Sequence, residues 1–70
     1  MIARTPVQSS NVLSVGYDEE TQTLEIEYKD GSVYQYYNVP ASVYSELLAT
    51  SSVGRFIHQY IKNAYPFARV

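Results

Sequence analysis

Alternation between apolar and polar side chains is cleanest over residues 23–29, where Leu24, Ile26 and Tyr28 fall on one side and Glu25, Glu27 and Lys29 on the other. A period of two puts successive side chains on opposite faces of an extended chain, so this stretch predicts a strand with one buried and one wet face. On that wet face Glu25 and Glu27 read as carboxylates kept for solubility and edge protection rather than as a catalytic pair. Before it, Val12, Leu13, Val15 and Tyr17 make a second β-type segment, closed by the turn-like Asp18-Glu19-Glu20-Thr21. Gly16 within it marks either a bulge or the close approach of another backbone. After it, residues 33–39 with Tyr34, Tyr36 and Tyr37 predict a third strand.

The connection between the second and third strands decides which tyrosines face the core. A two-residue Asp30-Gly31 loop pairs Ile26 with Gln35 and sets a glutamine in the apolar face. A three-residue Lys29-Asp30-Gly31 loop, ending in a left-handed glycine, instead sets Ile26 opposite Tyr34 and Leu24 opposite Tyr36. The longer loop yields one coherent apolar face and is preferred. Tyr34 and Tyr36 then point to the core, and Tyr37 shares the outer face with Val33 and Gln35.

Pro40 marks the change from strand to helix, because the residue before a proline is held extended. Val43, Tyr44, Leu47 and Leu48 then recur at helical spacing, Thr50-Ser51-Ser52 breaks the helix, and Ser51 or Ser52 supplies the next N-cap. In the second helix Phe56, Ile57, Tyr60, Ile61 and Ala64 form an apolar stripe, with Arg55, His58, Gln59 and Lys62 opposite. Residues 1–10 read as a lead-in that is ordered only if something pins it, and residues 65–70 as a tail able to fold back through Phe67. The expected fold is a single α+β domain over residues 1–70: a three-stranded antiparallel meander over 11–38, covered on its apolar face by a helical hairpin over 40–64.

Composition narrows the function classes. A chain of 70 residues buries only about 60% of the surface of its unfolded form, and eight tyrosines and two phenylalanines are how this one builds a core. There is no cysteine and His58 is the single histidine, so thiol chemistry is excluded and no cofactor or metal is implied. No apolar run approaches the ~20 residues of a membrane span, and residues 1–6 lack the apolar segment of a signal peptide, so a soluble, cytoplasmic protein with no membrane partner is expected. The eight serines have only His58 as a possible base, and the three glycines are isolated from one another, so neither a nucleophile site nor a phosphate loop is expected. Catalysis is not expected, nor is a small-molecule substrate. The net charge of −2 argues against indiscriminate polyanion binding. Residues 1–40 hold two basic and six acidic side chains, whereas residues 41–70 hold three basic and one acidic, so the helical part is the basic part.

The order of short motifs resembles the KTSC family, small bacterial domains also found at the C-terminus of some lysyl-tRNA synthetases. The matching residues are Ser9-Ser10-Asn11, Val15-Gly16-Tyr17-Asp18, Thr23-Leu24-Glu25-Ile26, the central Tyr34-Gln35-Tyr36, Val39-Pro40, Val43-Tyr44, Ser52 with Gly54-Arg55-Phe56, and Tyr65-Pro66-Phe67 with Arg69-Val70. The turn Asp30-Gly31-Ser32 departs from the paired glycines expected of many relatives. The resemblance implies a domain of uncharacterised function, with RNA suggested as a partner by association and no catalytic residue to carry over.

Two binding classes follow. In the first, RNA or a tRNA-linked protein meets a basic ridge: Ser52, Gly54 and Arg55 start the second helix, where free amides favour an anion, and Arg55, Gln59 and Lys62 recur at spacings of four and three, with His58 beside them. Tyr37 is the tyrosine left free to stack on a base. The plain alternative is that Ser52 caps, Gly54 allows tight packing and Arg55 is solvated. In the second class, an exposed sheet edge and Tyr37 with Val33 bind a protein partner or a second copy of the chain.

Overall fold

The hairpin takes the three-residue form. In the computed structural model, which describes residues 2–70, β3 (Thr23–Tyr28) pairs antiparallel with β4 (Val33–Tyr36), with Ile26 opposite Tyr34 and Leu24 opposite Tyr36. Tyr28 N–H donates to the Ser32 carbonyl at 2.9 Å, Gly31 N–H donates to the Tyr28 carbonyl at 3.0 Å, and Gly31 has a φ of 93°. Only glycine takes that conformation freely, so the turn residue sets the register. β2 (Val12–Asp18) pairs on the other side of β3, with Val15 opposite Ile26 and Tyr17 opposite Leu24. One row of the inner face is thus Tyr17-Leu24-Tyr36, and the next is Val15-Ile26-Tyr34. The pairing slips between Val12 and Ser14, and the intervening Leu13 is exposed.

The sheet has five strands, not three. β1 (Arg4–Pro6) pairs with β2 and β5 (Phe67–Arg69) with β4, all antiparallel and in chain order. What pins the first segment is Gly16: a Cβ there would collide with the Ala3 carbonyl and the Ile2 side chain, so the missing side chain is what lets the backbone approach. What pins the last is Phe67, whose ring lies 6.0 Å from Tyr34 and 5.6 Å from Tyr36, with backbone bonds from Tyr37 N–H to Pro66 and from Val70 N–H to Val33 on either side.

Between β4 and β5 the chain makes α1 (Ala41–Ala49) and a short α2 (Val53–Phe56) that runs into a π-helical turn, Ile57–Ile61. The entry to α1 is fixed at Val39, whose N–H donates to Gln22 and whose carbonyl accepts from the Tyr17 hydroxyl, while Tyr17 stacks on Tyr44 with ring centres 5.0 Å apart. Leu47, Val53, Ile57 and Ile61 close the core over Val12, Val15, Leu24, Ile26 and Tyr36. The apolar stripes are narrower than expected: Leu48 of α1 is 51% exposed, and Tyr60, its ring beside that of Phe56, is 59% exposed. In the second helix the cause is the π turn. Its i to i+5 bond, from Lys62 N–H to the Ile57 carbonyl at 2.8 Å, widens the turn and shifts the phase of every residue beyond it.

The outer face differs most from expectation. Glu25 is buried, its side chain only 9% exposed, because Arg4 of β1 covers it with a 2.7 Å ion pair and Gln35 donates to its other oxygen at 2.9 Å. Glu27 accepts from Ser14 at 2.9 Å, and its Oε1 lies 3.8 Å from the Arg4 guanidinium. These glutamates lock the sheet to its first strand rather than facing water.

Candidate nucleic-acid interface

On the inner face the helices cover β2 and β3 but leave the hairpin end of β3, β4 and β5 open. The result is a cleft of about 490 Å³ lined by Ser10, Asn11, Tyr28, Lys29, Asp30, Ser32, Tyr34, Tyr36, Lys62 and Phe67. Strand alternation brings Tyr28, Tyr34 and Tyr36 to it, because pairing across β3 and β4 keeps all three on one face. Tyr28 meets Tyr34 edge-on at 5.7 Å, and Tyr34 lies nearly parallel to Tyr36 at 6.5 Å. Tyr36 is the floor at 2% exposure, Tyr34 is half-buried, and Phe67 forms a wall at 54% exposure.

The polar groups of the cleft are of two kinds. The Tyr28 hydroxyl lies 3.4 Å from that of Tyr36, and burial, followed by this hydrogen bond, pushes the Tyr28 phenol well above its ordinary range, so it stays protonated at neutral pH. Asp30 accepts from both the Ser32 N–H (2.9 Å) and the Ser32 hydroxyl (2.6 Å), and these bonds hold its carboxyl below the usual carboxylate range. Lys29 and Lys62 are exposed at the rim, and neither enters an ion pair among the described residues.

The structure separates the residues expected to act together. Lys62 lines the cleft, whereas Ser52, Gly54 and Arg55 line a polar groove of about 380 Å³ with Gln8, Ser9, Ser10, Asn11, Ser51 and Val53. The Arg55-Gln59-Lys62 ridge assumed α-helical spacing, and the π turn breaks it. His58 and Gln59 are exposed on that turn and line neither cavity. Ser52 occupies the cap position without a side-chain cap bond, and Gly54 packs where a Cβ would press on Asn11 Oδ1. Tyr37 lies on the opposite side of the sheet, half-buried, donating to Gln35 Oε1 at 3.2 Å. The residues missed as cleft lining are Tyr34, assigned to the core, together with Tyr28, Phe67 and Asp30. The available signal was the number of tyrosines on one face of one hairpin, which exceeds what so short a chain can seal.

Comparison with known proteins bears on this arrangement. The KTSC domain family model matches residues 8–65. An uncharacterised protein of Stutzerimonas stutzeri is 44% identical over 59 residues, covering 84% of this chain and 83% of that one. A lysine–tRNA ligase of Nostoc punctiforme is 36% identical over 63 residues, which is 90% of this chain but 11% of the ligase. The crystal structure of a KTSC domain protein from Yersinia pestis superposes with a TM-score of 0.96 at 34% identity, covering 100% of this chain and 99% of that one. No helix of the described residues is long and apolar enough to cross a membrane.

Proposed function

The chain belongs to the KTSC domain family, and from that membership together with the cleft we propose that it is a small non-catalytic module that binds an unpaired base of an RNA. The observation that carries this is the set of four aromatic rings at one open cleft with Lys29 and Lys62 at its rim. Aromatic rings stack on bases of any sequence, and lysines beside them meet the flanking phosphates. The occurrence of a matching segment in lysine–tRNA ligases supports an RNA setting for the domain. An acidic chain suits local recognition of this sort, since the contact needs two lysines rather than a positive surface.

The test is fluorescence anisotropy of labelled single-stranded RNA and tRNA, titrated at about 50 and 200 mM salt. Tyr34→Ala is expected to weaken binding by about tenfold, the scale of one lost base stack, with the salt slope unchanged. Lys62→Ala is expected to lower that slope by about one. Absence of salt-dependent binding to any RNA at micromolar protein overturns the proposal.

A protein partner or second copy at a sheet edge is supported by the exposed Phe67 (54%) and Val70 (63%) at and beside β5. Both edge strands are only three residues long and β1 ends in Pro6, features that blunt strand addition. Sedimentation showing a strict monomer, with RNA binding intact, removes this alternative.

A further inference from the structure

The cleft contains a group that stacking and phosphate contact leave unused. Asp30 is a carboxylate at the rim of a site whose other charges, Lys29 and Lys62, are positive. Both of its bonds fall on one oxygen: Oδ1 accepts from the Ser32 N–H and the Ser32 hydroxyl, which fixes the orientation of the carboxylate. Oδ2 has no hydrogen-bond partner, and Asp30 forms no ion pair, among the described residues. An ionised carboxylate is acceptor-only, with two lone-pair sites on each oxygen. A phosphate is repelled by such a group, so its natural counterpart is a pair of converging N–H donors.

Among the four RNA bases, guanine alone presents two adjacent N–H donors on its Watson–Crick edge, at N1 and the 2-amino group. Adenine and cytosine set an amino group beside an acceptor nitrogen, and uracil sets one N–H between two carbonyls, so each turns a lone pair toward the carboxylate. Resting on the base-stacking proposal above, we infer that the cleft selects guanine, with the ring held among Tyr28, Tyr34 and Phe67 and its Watson–Crick edge at Asp30 Oδ2. Lys62 and Lys29, which line the same cleft, are the cations available to the nucleotide's phosphate. At about 490 Å³ the cleft has the size of a small-ligand site, which suits one nucleotide rather than a duplex.

The experiment titrates the full chain with GMP, AMP, CMP, UMP and inosine 5′-monophosphate, read from the aromatic proton shifts of Tyr28, Tyr34 and Phe67. GMP is expected to bind about tenfold tighter than AMP, CMP or UMP, the discrimination of one well-placed two-point contact. Inosine monophosphate, which keeps N1–H and lacks the 2-amino group, is expected to fall between. Asp30→Asn, which retains an Oδ1 acceptor for Ser32, is expected to weaken GMP about tenfold, to the affinity of the other nucleotides. Because inosine monophosphate tests the contact on the unaltered protein, a turn disturbed by Asp30→Asn leaves the inference decidable. Equal binding of all four nucleotides overturns guanine selection and leaves base stacking standing. Binding of neither nucleotides nor RNA, with free arginine moving the Asp30 and Ser32 amides instead, overturns both and assigns Oδ2 to a cationic side chain.

Discussion

On the outer face of the sheet, Arg4, Glu25, Gln35 and Tyr37 hydrogen-bond to one another in sequence, from a guanidinium to a carboxylate to an amide to a phenol. On the inner face, at the cleft, the ammonium groups of Lys29 and Lys62 and the second oxygen of Asp30 have no hydrogen-bond or ion-pair partner among the described residues. Charged residues on the two faces therefore do different work. Those outside are spent on one another and join β1 to the sheet, whereas those at the cleft are left available to something else. Charge and residue type alone do not separate the two cases, and hydrogen-bond partners do.

Breaking the outer network is expected to give the largest effect on stability. Arg4→Ala strands a buried carboxylate with only Gln35 beside it, and denaturant unfolding should show a loss of about 3 kcal/mol with RNA binding by the residual folded protein unchanged. Gly16→Ala drives a Cβ into the Ala3 carbonyl, and should cost about 1–2 kcal/mol by the same measurement, with faster amide exchange confined to residues 4–6 and 14–16. At the inner face, Tyr28 holds its proton more tightly folded than unfolded, as do Tyr17 and Tyr44. A raised folded value means stability fully present below the ordinary phenol value of about 10 and lost as pH climbs above it, and Tyr28→Phe should flatten that alkaline decline in a series of unfolding curves. The smallest effect belongs to Ser52→Ala, less than about 0.5 kcal/mol, because Ser52 makes no side-chain cap bond where a working cap contributes about 1 kcal/mol.

Local patterns carried the centre of the molecule and missed its ends. The alternation at residues 23–28 and the left-handed Gly31 each follow from a constraint within a few residues, and both are present; at Gly16, of the bulge and the close approach that the sequence allows, the close approach is found. The burial of Glu25 was not legible because the residue that covers it, Arg4, lies 21 positions away in a segment with no strand pattern of its own. The π turn was not legible either, since Ile57 and Ile61 satisfy an α-helical stripe equally well and only the backbone hydrogen-bond pattern distinguishes the two. Arg55 and Lys62, the two ends of the expected basic ridge, line different cavities. Of the two tyrosines expected on the core side, Tyr36 is buried. Tyr34 became a cleft residue because the helical cover stops short of the hairpin.

The placement of Phe67 has a dynamic consequence. It reaches the cleft from a three-residue strand at the rim of the sheet, the sort of element that frays first. Since that strand supplies one side of the cleft, whatever fills the cleft also latches the strand. On the proposed reading, a nucleotide in the cleft is expected to slow amide exchange at residues 67–69.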